Sequence, residues 1–443
     1  MRALLACLPC VGCVLSVRPL TDNFSDATPG EALSMSIQRL EQIYSFTDWK
    51  DLDWDSIQAS LEAEAASAES DEDWDRVFRK LAQSMPDGHV SIWNTDPALD
   101  LCPEARASLG VTFALLADGT PVVTTVRSDG PADRAGVTVG DVLAVYDGMP
   151  PDGALDAAPL HCSPVGLATH ERRARVQARL LGRAPVGAVV SLQLQGDDRY
   201  AVELTAEHDG ATVREALGMP LPEARVTHQM WTDGVGYIQV GWEETLLSER
   251  LFQRAVADLW GEGARSLVID LRNNDGGTDQ TAANIVGTFY EEETFYETIT
   301  MYDRRTEGQV VISDVYVEPQ PLRWDLPAAV LVNDNTVSSG EGMAMMLYRL
   351  DNVEIIGFEG TAASFGSAGS LIQLPGGWEL SYPAGRSLDA SGQIQLDSDA
   401  ALEGGVPPEH RVPWTTDNRI ADANDPVGFL VDYAAARLQG GAR

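Results

Sequence analysis

Apolar residues recur every three or four positions between about residues 32 and 78, the spacing that places side chains on one face of a helix. A proline, an aspartate and a glycine follow at 86–88 and mark a turn. Residues 90–93 then alternate as a strand does. The pattern predicts an N-terminal helical segment in which His89 stands at the junction between a turn and a strand.

Short alternating runs replace the helical spacing between residues 104 and 207. A short helix closed by Gly136 interrupts them, since glycine is the usual residue just beyond a helix end. This stretch is therefore predicted to be β-rich. The predicted strands cover residues 109–113, 122–126, 142–146, 189–195 and 200–205.

Beyond residue 226 apolar runs alternate with helical patterns. Residues 266–271 and 328–332 read as buried strands, and each is followed by a polar turn and a helix. Alternation of strand and helix indicates an α/β layer fold. We therefore expect a multidomain α/β protein. The expected divisions are residues 1–20 as a signal peptide, 21–101 as a helical domain carrying His89, 102–208 as a β-rich domain and 209–443 as an α/β domain.

The charge of the chain restricts its partners. The sequence has 67 acidic and 31 basic residues, a formal net charge of -36. Such a surface repels nucleic acid phosphates and anionic membranes. The glycine pair at 276–277 is followed by no Gly-Lys-Ser/Thr, which excludes a P-loop. We expect no nucleic acid partner and no cofactor.

The N-terminus has the features of a secretory signal, with a charged start and a short apolar core from residue 4 to residue 15. Val-Gly-Cys at 11–13 resembles the end of a bacterial lipoprotein signal, with Cys13 as the lipidated residue. Plain cleavage and a misassigned start are the alternatives. The protein is expected to be secreted, periplasmic or anchored to a bacterial cell envelope, with membrane contact only through a lipid on Cys13.

Two cysteines, Cys102 and Cys162, remain beyond the signal. In an oxidising compartment they could pair. Two cysteines sixty residues apart form no zinc motif. We therefore predict no metal site.

Ser338 stands where a buried strand turns into a helix. Backbone N–H groups are unpaired at a helix N-terminus, and the helix dipole favours negative charge there. This is a suitable place for a nucleophile whose substrate becomes an oxyanion. The alternative is a capping box, because Ser338 and Glu341 have the required spacing.

The sequence motifs between residues 130 and 148 resemble those of a PDZ domain. The resemblance covers the whole β-rich stretch apart from an insertion at about 150–170. It implies that Leu109, Gly110 and Val111 form the loop that receives a C-terminal carboxylate or an extended peptide. The alternative is a β-domain that only spaces its neighbours.

The whole chain resembles the S41 serine peptidases, the family of C-terminal processing proteases and tricorn. The resemblance runs from about Trp49 to Val412 and implies a ClpP/crotonase-like α/β core that acts on polypeptides. The matching segments are Asp-Gly-His at 87–89, the PDZ-like unit, Asp-Leu-Arg-Asn-Asn-Asp-Gly-Gly at 270–277, Thr-Val-Ser-Ser-Gly-Glu at 336–341 and Glu-Gly-Gly-Val-Pro-Pro-Glu at 403–409.

This family uses two kinds of base. Processing proteases pair the serine with a downstream lysine, but here Ala363 or Ser367 occupies that place and no lysine follows residue 80. Tricorn uses an upstream histidine, which His89 matches. The implied roles are Ser338 as nucleophile, His89 as base, Glu403 as the group orienting His89, and the N–H groups of Ser339 and of Gly276 or Gly277 as oxyanion donors.

The leading hypothesis is an extracytoplasmic serine endopeptidase. The second hypothesis, from a different class, is a binding protein that keeps the S41 fold without turnover. Retention of both Ser338 and His89 favours the enzyme. A third possibility is a processing protease that uses Lys80 as its base. The oligomeric state does not follow from the sequence.

Overall fold

The computed structural model describes residues 20–96, 102–196, 198–219, 226–243, 246–366 and 369–440. The expected signal peptide, its Cys13 and Ser367 lie outside these ranges. Within them, none of the helices combines the length and the hydrophobicity needed to cross a bilayer. We call residues 20–96 the helical unit, 102–219 the β-rich unit and 226–440 the α/β unit.

The helical unit contains three helices where the periodicity suggested one helical stretch. Thr28 begins the first helix with a capping box, and Ser70 begins the third in the same way, so local side chains satisfy the free N–H groups. The elements are β1 (Thr21–Asn23), α1 (Pro29–Ile43), α2 (Trp54–Ala65), α3 (Asp71–Gln83) and β2 (Ser91–Asn94).

The β-rich unit is built on a five-stranded antiparallel sheet in the order β4-β5-β6-β8-β9, and the helix α6 packs against β4. Its elements are β3 (Ala107–Ser108), β4 (Val111–Leu115), β5 (Pro121–Val126), α4 (Pro131–Arg134), β6 (Val142–Tyr146), α5 (Pro151–Asp156), α6 (His170–Leu180), β7 (Arg183–Ala184), β8 (Val189–Gln195), β9 (Arg199–Thr205) and α7 (Val213–Ala216).

The α/β unit has a six-stranded sheet in the order β10-β11-β12-β15-β16-β20, parallel except at β10. Its elements are β10 (Val226–Thr232), β11 (Val235–Val240), α8 (Leu246–Glu262), β12 (Ser266–Asp270), α9 (Asp279–Val286), β13 (Thr294–Asp303), β14 (Gly308–Val317), β15 (Ala328–Leu331), α10 (Ser339–Tyr348), β16 (Val353–Gly357), β17 (Ser370–Gln373), β18 (Trp378–Tyr382), β19 (Gly385–Leu388), β20 (His410–Arg411), α11 (Thr416–Asn424) and α12 (Gly428–Gly440).

The helical unit and the α/β unit share one sheet. β1 pairs with β17 and β2 pairs with β18, giving the order β1-β17-β18-β2. Apolar residues of the three helices pack in one buried cluster with Ile372 and Leu380 of β17 and β18. The expected helical domain at 21–101 and the expected α/β domain at 209–443 are therefore joined through one sheet, and β2 begins two residues after His89.

Candidate active site

Ser338 has an unusual backbone conformation at the N-terminus of α10. Its φ and ψ are 59° and -133°, and its hydroxyl does not cap the helix. Non-glycine residues avoid this region, at a cost of about 1–3 kcal/mol, and persist there only where surrounding contacts enforce it. The turn is held by the Thr336 hydroxyl, which donates to the carbonyl of Leu271 at 2.7 Å. The capping-box interpretation of Ser338 is therefore wrong.

Glu341 faces a neighbouring loop instead of the cap. Its buried carboxylate accepts hydrogen bonds from the Thr361 hydroxyl at 2.5 Å and from the N–H groups of Ala363 and Ser364 at 2.7 Å each. Burial raises the pKa of Glu341 to about 7, against these hydrogen bonds. Glu341 thus fixes the loop that packs against Ser338.

Ser364 in that loop joins the segments carrying the two expected reactive side chains. Its hydroxyl accepts from the N–H of Gly88 at 2.6 Å, and its carbonyl accepts from the N–H of Ser338 at 2.9 Å. The residue before His89 and the residue Ser338 are thus bonded to one serine. Within the described chain, no hydrogen bond joins the hydroxyl of Ser338 to the imidazole of His89.

The surroundings of His89 favour the neutral form of its imidazole. Burial lowers its pKa below the usual value, Asp87 opposes this shift and Lys50 adds to it. The N–H of His89 donates to Asp87 at 2.9 Å, and the Tyr44 hydroxyl donates to the same carboxylate at 2.7 Å. The buried Nδ1 of His89 has no hydrogen-bond partner among the described residues. A neutral imidazole can accept a proton.

Asp397, which no expectation from the sequence named, is buried and has Asp87 and Lys50 as charged neighbours, as His89 does. Its Oδ1 accepts from the N–H of Phe365 at 3.1 Å, and its Oδ2 is buried without a partner in the described chain. Burial raises its pKa well above the usual value, Asp87 raises it further and Lys50 lowers it. No motif marks Asp397, because it lies in an irregular loop.

Glu403, the residue expected to orient His89, lies in an exposed turn. Its N–H donates to the Asp399 side chain at 3.2 Å and its carbonyl accepts from the Asp399 N–H at 3.0 Å. The charged groups that act on His89 are Asp87 and Lys50. Asp397 shares these two charged neighbours with His89, whereas Glu403 is exposed.

Two of the three expected oxyanion donors have no hydrogen-bond partner in the described chain. The N–H of Ser339, at the start of α10, and the N–H of Gly277 have no partner in the described chain. The N–H of Gly276 already donates to Asn274 Oδ1 at 2.8 Å. Gly276 instead lies against the side chain of Ser338, where a Cβ would stand 2.5 Å from the Ser338 Cβ.

Buried acidic side chains form hydrogen bonds with the residues around these donors. Asp279 accepts a hydrogen bond from the Ser339 hydroxyl at 2.7 Å. Glu243 accepts one at 2.6 Å from the side-chain amide of Asn274, whose Oδ1 accepts from the N–H of Gly276. Burial raises the pKa of Glu243 to about 8 and raises the pKa of Asp279, which lies beside Glu297. A protonated Glu243 suits this place, since an ionised carboxylate would oppose an oxyanion.

The expected peptide-binding loop is occupied by the chain itself. The N–H of Leu109 donates to the Gly182 carbonyl at 2.9 Å, and the N–H of Gly110 donates to the Ser108 hydroxyl at 2.9 Å. Val111 is buried and pairs with Val126 in the sheet. These three residues lie together, but the first two amides have partners.

Lys80 is held away from this arrangement. Its ammonium forms an ion pair with Glu64 at 2.7 Å, with 40% of the side chain exposed. The lysine near His89 is the buried Lys50, whose ammonium donates to the carbonyl and the hydroxyl of Ser398 at 2.7 Å each. The hypothesis that Lys80 is the base therefore has no structural support.

Cys102 and Cys162 form a disulfide, with Cα atoms 5.3 Å apart. Together with Glu104 and His161 they offer ligand atoms within 4.8 Å of one another. A cysteine binds a metal as its thiolate, and the disulfide leaves neither cysteine in that form. In this state the group does not have the donors of a metal site.

Comparison with known proteins shows similarity to a family of peptidases. Residues 234–411 match the model of Peptidase family S41, in agreement with the resemblance seen in the sequence. The carboxy-terminal processing protease CtpA of Bacillus subtilis (strain 168) is 23% identical over 286 residues, 64% of this chain and 53% of that protein. The chloroplastic carboxyl-terminal-processing peptidase 2 of Arabidopsis thaliana is 24% identical over 311 residues, 69% of this chain and 53% of that protein.

The chain thus spans about half the length of the curated relatives it matches. Among solved structures, mature CPAF covers 94% of this chain and 98% of its own, with a TM-score of 0.68 and 15% identity. A putative peptidase from Parabacteroides merdae covers 93% of this chain and 97% of its own, with a TM-score of 0.51 and 16% identity. At these identities the likeness shows the shared fold.

Proposed function

We propose that this chain is a serine endopeptidase that hydrolyses exposed or C-terminal polypeptide segments through an acyl-enzyme formed on Ser338. The observation that carries the proposal is the strained backbone of Ser338 at a helix start, beside the free N–H of Ser339. Strain at a serine in a strand-to-helix turn, with oxyanion donors adjacent, is the arrangement that exposes a nucleophile.

In the proposed reaction the Oγ of Ser338 attacks the scissile carbonyl carbon while His89 takes the hydroxyl proton. The carbonyl π electrons become an oxyanion that accepts hydrogen bonds from the N–H groups of Ser339 and Gly277. The C–N bond then breaks, and the imidazolium returns the proton to the leaving amine. Water, deprotonated by His89, hydrolyses the ester and releases Ser338.

Asp397 is proposed to take the role that the resemblance assigns to Glu403. Its Oδ2 and the Nδ1 of His89 are both buried without a partner in the described chain, and both residues have Asp87 and Lys50 as charged neighbours. A carboxyl oxygen that accepts from Nδ1–H would orient the ring. A modest closure that brings Ser338 and His89 into hydrogen-bond contact is part of this proposal, because catalytic hydrogen bonds are often long before substrate binds.

We further propose an extracytoplasmic location and a PDZ-like role for the β-rich unit in substrate binding. The Cys102–Cys162 disulfide supports the location, since such bonds persist in oxidising compartments. The five-stranded antiparallel sheet packed against α6 supports the PDZ likeness. A lipid anchor on Cys13 remains part of the same proposal.

The test combines a fluorophosphonate probe with peptide hydrolysis. We expect the probe to label Ser338 in folded wild-type protein, located by mass spectrometry, and Ser338→Ala and His89→Ala to lose hydrolysis while Lys80→Ala retains it. Product ends mapped by mass would give the cleavage positions. Folded wild-type protein that neither reacts with the probe nor cleaves any peptide would favour the alternative, a binding protein without turnover.

A further inference from the structure

A cavity of about 260 Å³ lies between the β-rich unit and the α/β unit, apart from Ser338 and His89. It opens at the carboxyl ends of the parallel strands β12, β15 and β16, where the residues following each strand line its wall. In open α/β sheets this edge is the usual place for a ligand. The volume is just below the range of pockets for drug-sized ligands, which suits a smaller molecule.

Four arginines line the cavity in a chain of strongly negative charge. Three of them are satisfied: Arg175 pairs with Asp334 at 2.6 Å, Arg272 with Asp270 at 2.6 Å and Arg419 with Glu359 at 2.9 Å.

The fourth, Arg179 on α6, differs from these three. Among the described residues its guanidinium has neither a hydrogen bond nor an ion pair, although burial lowers its pKa to about 10. A partly buried guanidinium without a partner is costly, and a carboxylate supplies the geometry it lacks.

One acid of the same cavity is equally without a partner. Asp334 and Glu359 are paired with arginines, whereas Asp422 on α11 forms no ion pair or side-chain hydrogen bond in the described chain. Burial raises the pKa of Asp422, and Arg272, Arg419 and Arg179 oppose that shift. The cavity thus offers one unpaired group of each sign.

Apolar side chains complete the wall, from Phe113 of the β-rich unit and from Val332 and Leu430 of the α/β unit. We propose that this cavity binds a free α-amino acid with an apolar side chain. Its carboxylate binds Arg179, its ammonium group binds Asp422, and its side chain lies on the apolar wall. An inorganic anion would satisfy Arg179 alone.

The site is connected to the turn that leads to Ser338. Arg175 donates to Asp334 and also to Asn335 at 3.3 Å, and both residues precede Ser338 by three or four positions. If the proposed function holds, bound amino acid, which is an end product of peptide breakdown, alters turnover through this turn. The binding itself does not depend on that function.

The first test uses calorimetric titration of the full chain in the Ser338→Ala background, at fixed ionic strength. The ligands are L-leucine, 4-methylpentanoate, which lacks the amino group, 3-methylbutylamine, which lacks the carboxylate, and inorganic phosphate. We expect saturable binding of leucine, with each single-charge analogue roughly 10- to 100-fold weaker, the usual effect of losing one charged hydrogen bond. Absence of leucine binding, or phosphate binding that exceeds it, would overturn the proposal.

The second test uses variants. Arg179→Met should weaken leucine binding roughly 10- to 100-fold, and Asp422→Asn should remove the preference for leucine over 4-methylpentanoate. Arg173→Met, on the exposed face of the same helix, is the matched control and should bind leucine as the parent does. Unchanged leucine affinity in folded Arg179→Met would contradict the assignment. The ligand series on the parent protein remains decisive if that variant fails to fold.

Discussion

Gly276 leaves no room for a side chain against Ser338: a Cβ on Gly276 would stand 2.5 Å from the Cβ of Ser338 and 3.0 Å from its Oγ. Gly276 also has a φ of +80°, which favours glycine. The conformation of the glycine turn and the placement of the nucleophile are therefore one arrangement, and a change in either displaces the other.

We expect Gly276→Ala to lower kcat for peptide hydrolysis by at least about 100-fold, the scale of losing an oxyanion donor, because Ser338 must shift. Steady-state kinetics on one peptide measures this. Gly392→Ala is the matched control, since Gly392 has a φ of +81° with no atom within 4 Å of the added Cβ. It should keep its kcat. Equal kcat in Gly276→Ala and wild type would show that Ser338 is not the nucleophile or that it does not shift.

Ser338→Gly should unfold at a higher temperature than Ser338→Ala, although both lose activity. Glycine adopts the φ and ψ of Ser338 without strain, so we expect a difference of about 1 kcal/mol in the free energy of unfolding. Calorimetry of the pair measures it.

The control pair is Ser34→Gly and Ser34→Ala, in the exposed interior of α1. There glycine should be the less stable of the two by about 1 kcal/mol. The same order at both positions would mean that the backbone of Ser338 is not strained.

Asp397→Asn should lower kcat by at least about 10-fold with a smaller effect on KM, since an amide N–H facing Nδ1 would hold the imidazole of His89 in the wrong tautomer. Glu403→Gln, at the exposed turn, should keep wild-type kinetics. The acid limb of the kcat/KM profile, which reports the pKa of His89, should move only in Asp397→Asn. A loss of activity confined to Glu403→Gln would restore the assignment made from sequence.

Glu243 should make the protein less stable as pH rises. Its folded-state pKa is about 8, against an ordinary value of 4.5, so between these values the folded chain keeps a proton that the unfolded chain has released. The free energy of unfolding then falls with rising pH by about 1.4 kcal/mol per unit in this window. Glu243→Gln lacks this contribution, and its stability relative to wild type should rise from pH 5 to pH 8.

Urea denaturation at unit intervals of pH measures the difference. Glu31→Gln is the control with the opposite sign, because hydrogen bonds from Thr28 lower the pKa of Glu31 and its contribution is present above pH 4.5 and lost as pH falls through the folded pKa. A Glu243→Gln difference that does not change with pH would mean that Glu243 is ionised at neutral pH.

Removal of the disulfide should cost about 4 kcal/mol of stability, the chain-entropy value for a loop closed across 60 residues. The Cys102→Ala/Cys162→Ala variant should therefore melt well below wild type, and a phosphine reductant should lower the melting temperature of wild type alone. Thiol titration should find neither residue reactive in folded, unreduced protein. Equal melting temperatures in the two proteins would contradict the prediction.

Local pattern determined much of this protein. The strand-to-helix turn at Ser338, the polar turn that ends at Gly276 and Gly277, and the alternation of strands and helices after residue 226 all depend on residues close in sequence. Hydrophobic periodicity and turn chemistry report such features directly. The family resemblance could be recognised because several short sequence motifs occur in the order typical of the family.

Tertiary structure alone decided which distant groups meet. Ser364 joins the segments of Gly88 and Ser338 across some 250 residues, and the pairing of β2 with β18 places His89 beside the α/β unit. Asp397 is buried but lies in an irregular loop that no sequence motif marks. Glu403 matches a motif of the family, yet it is exposed. Burial and long-range packing set these relationships, and neither leaves a periodic signal in the chain.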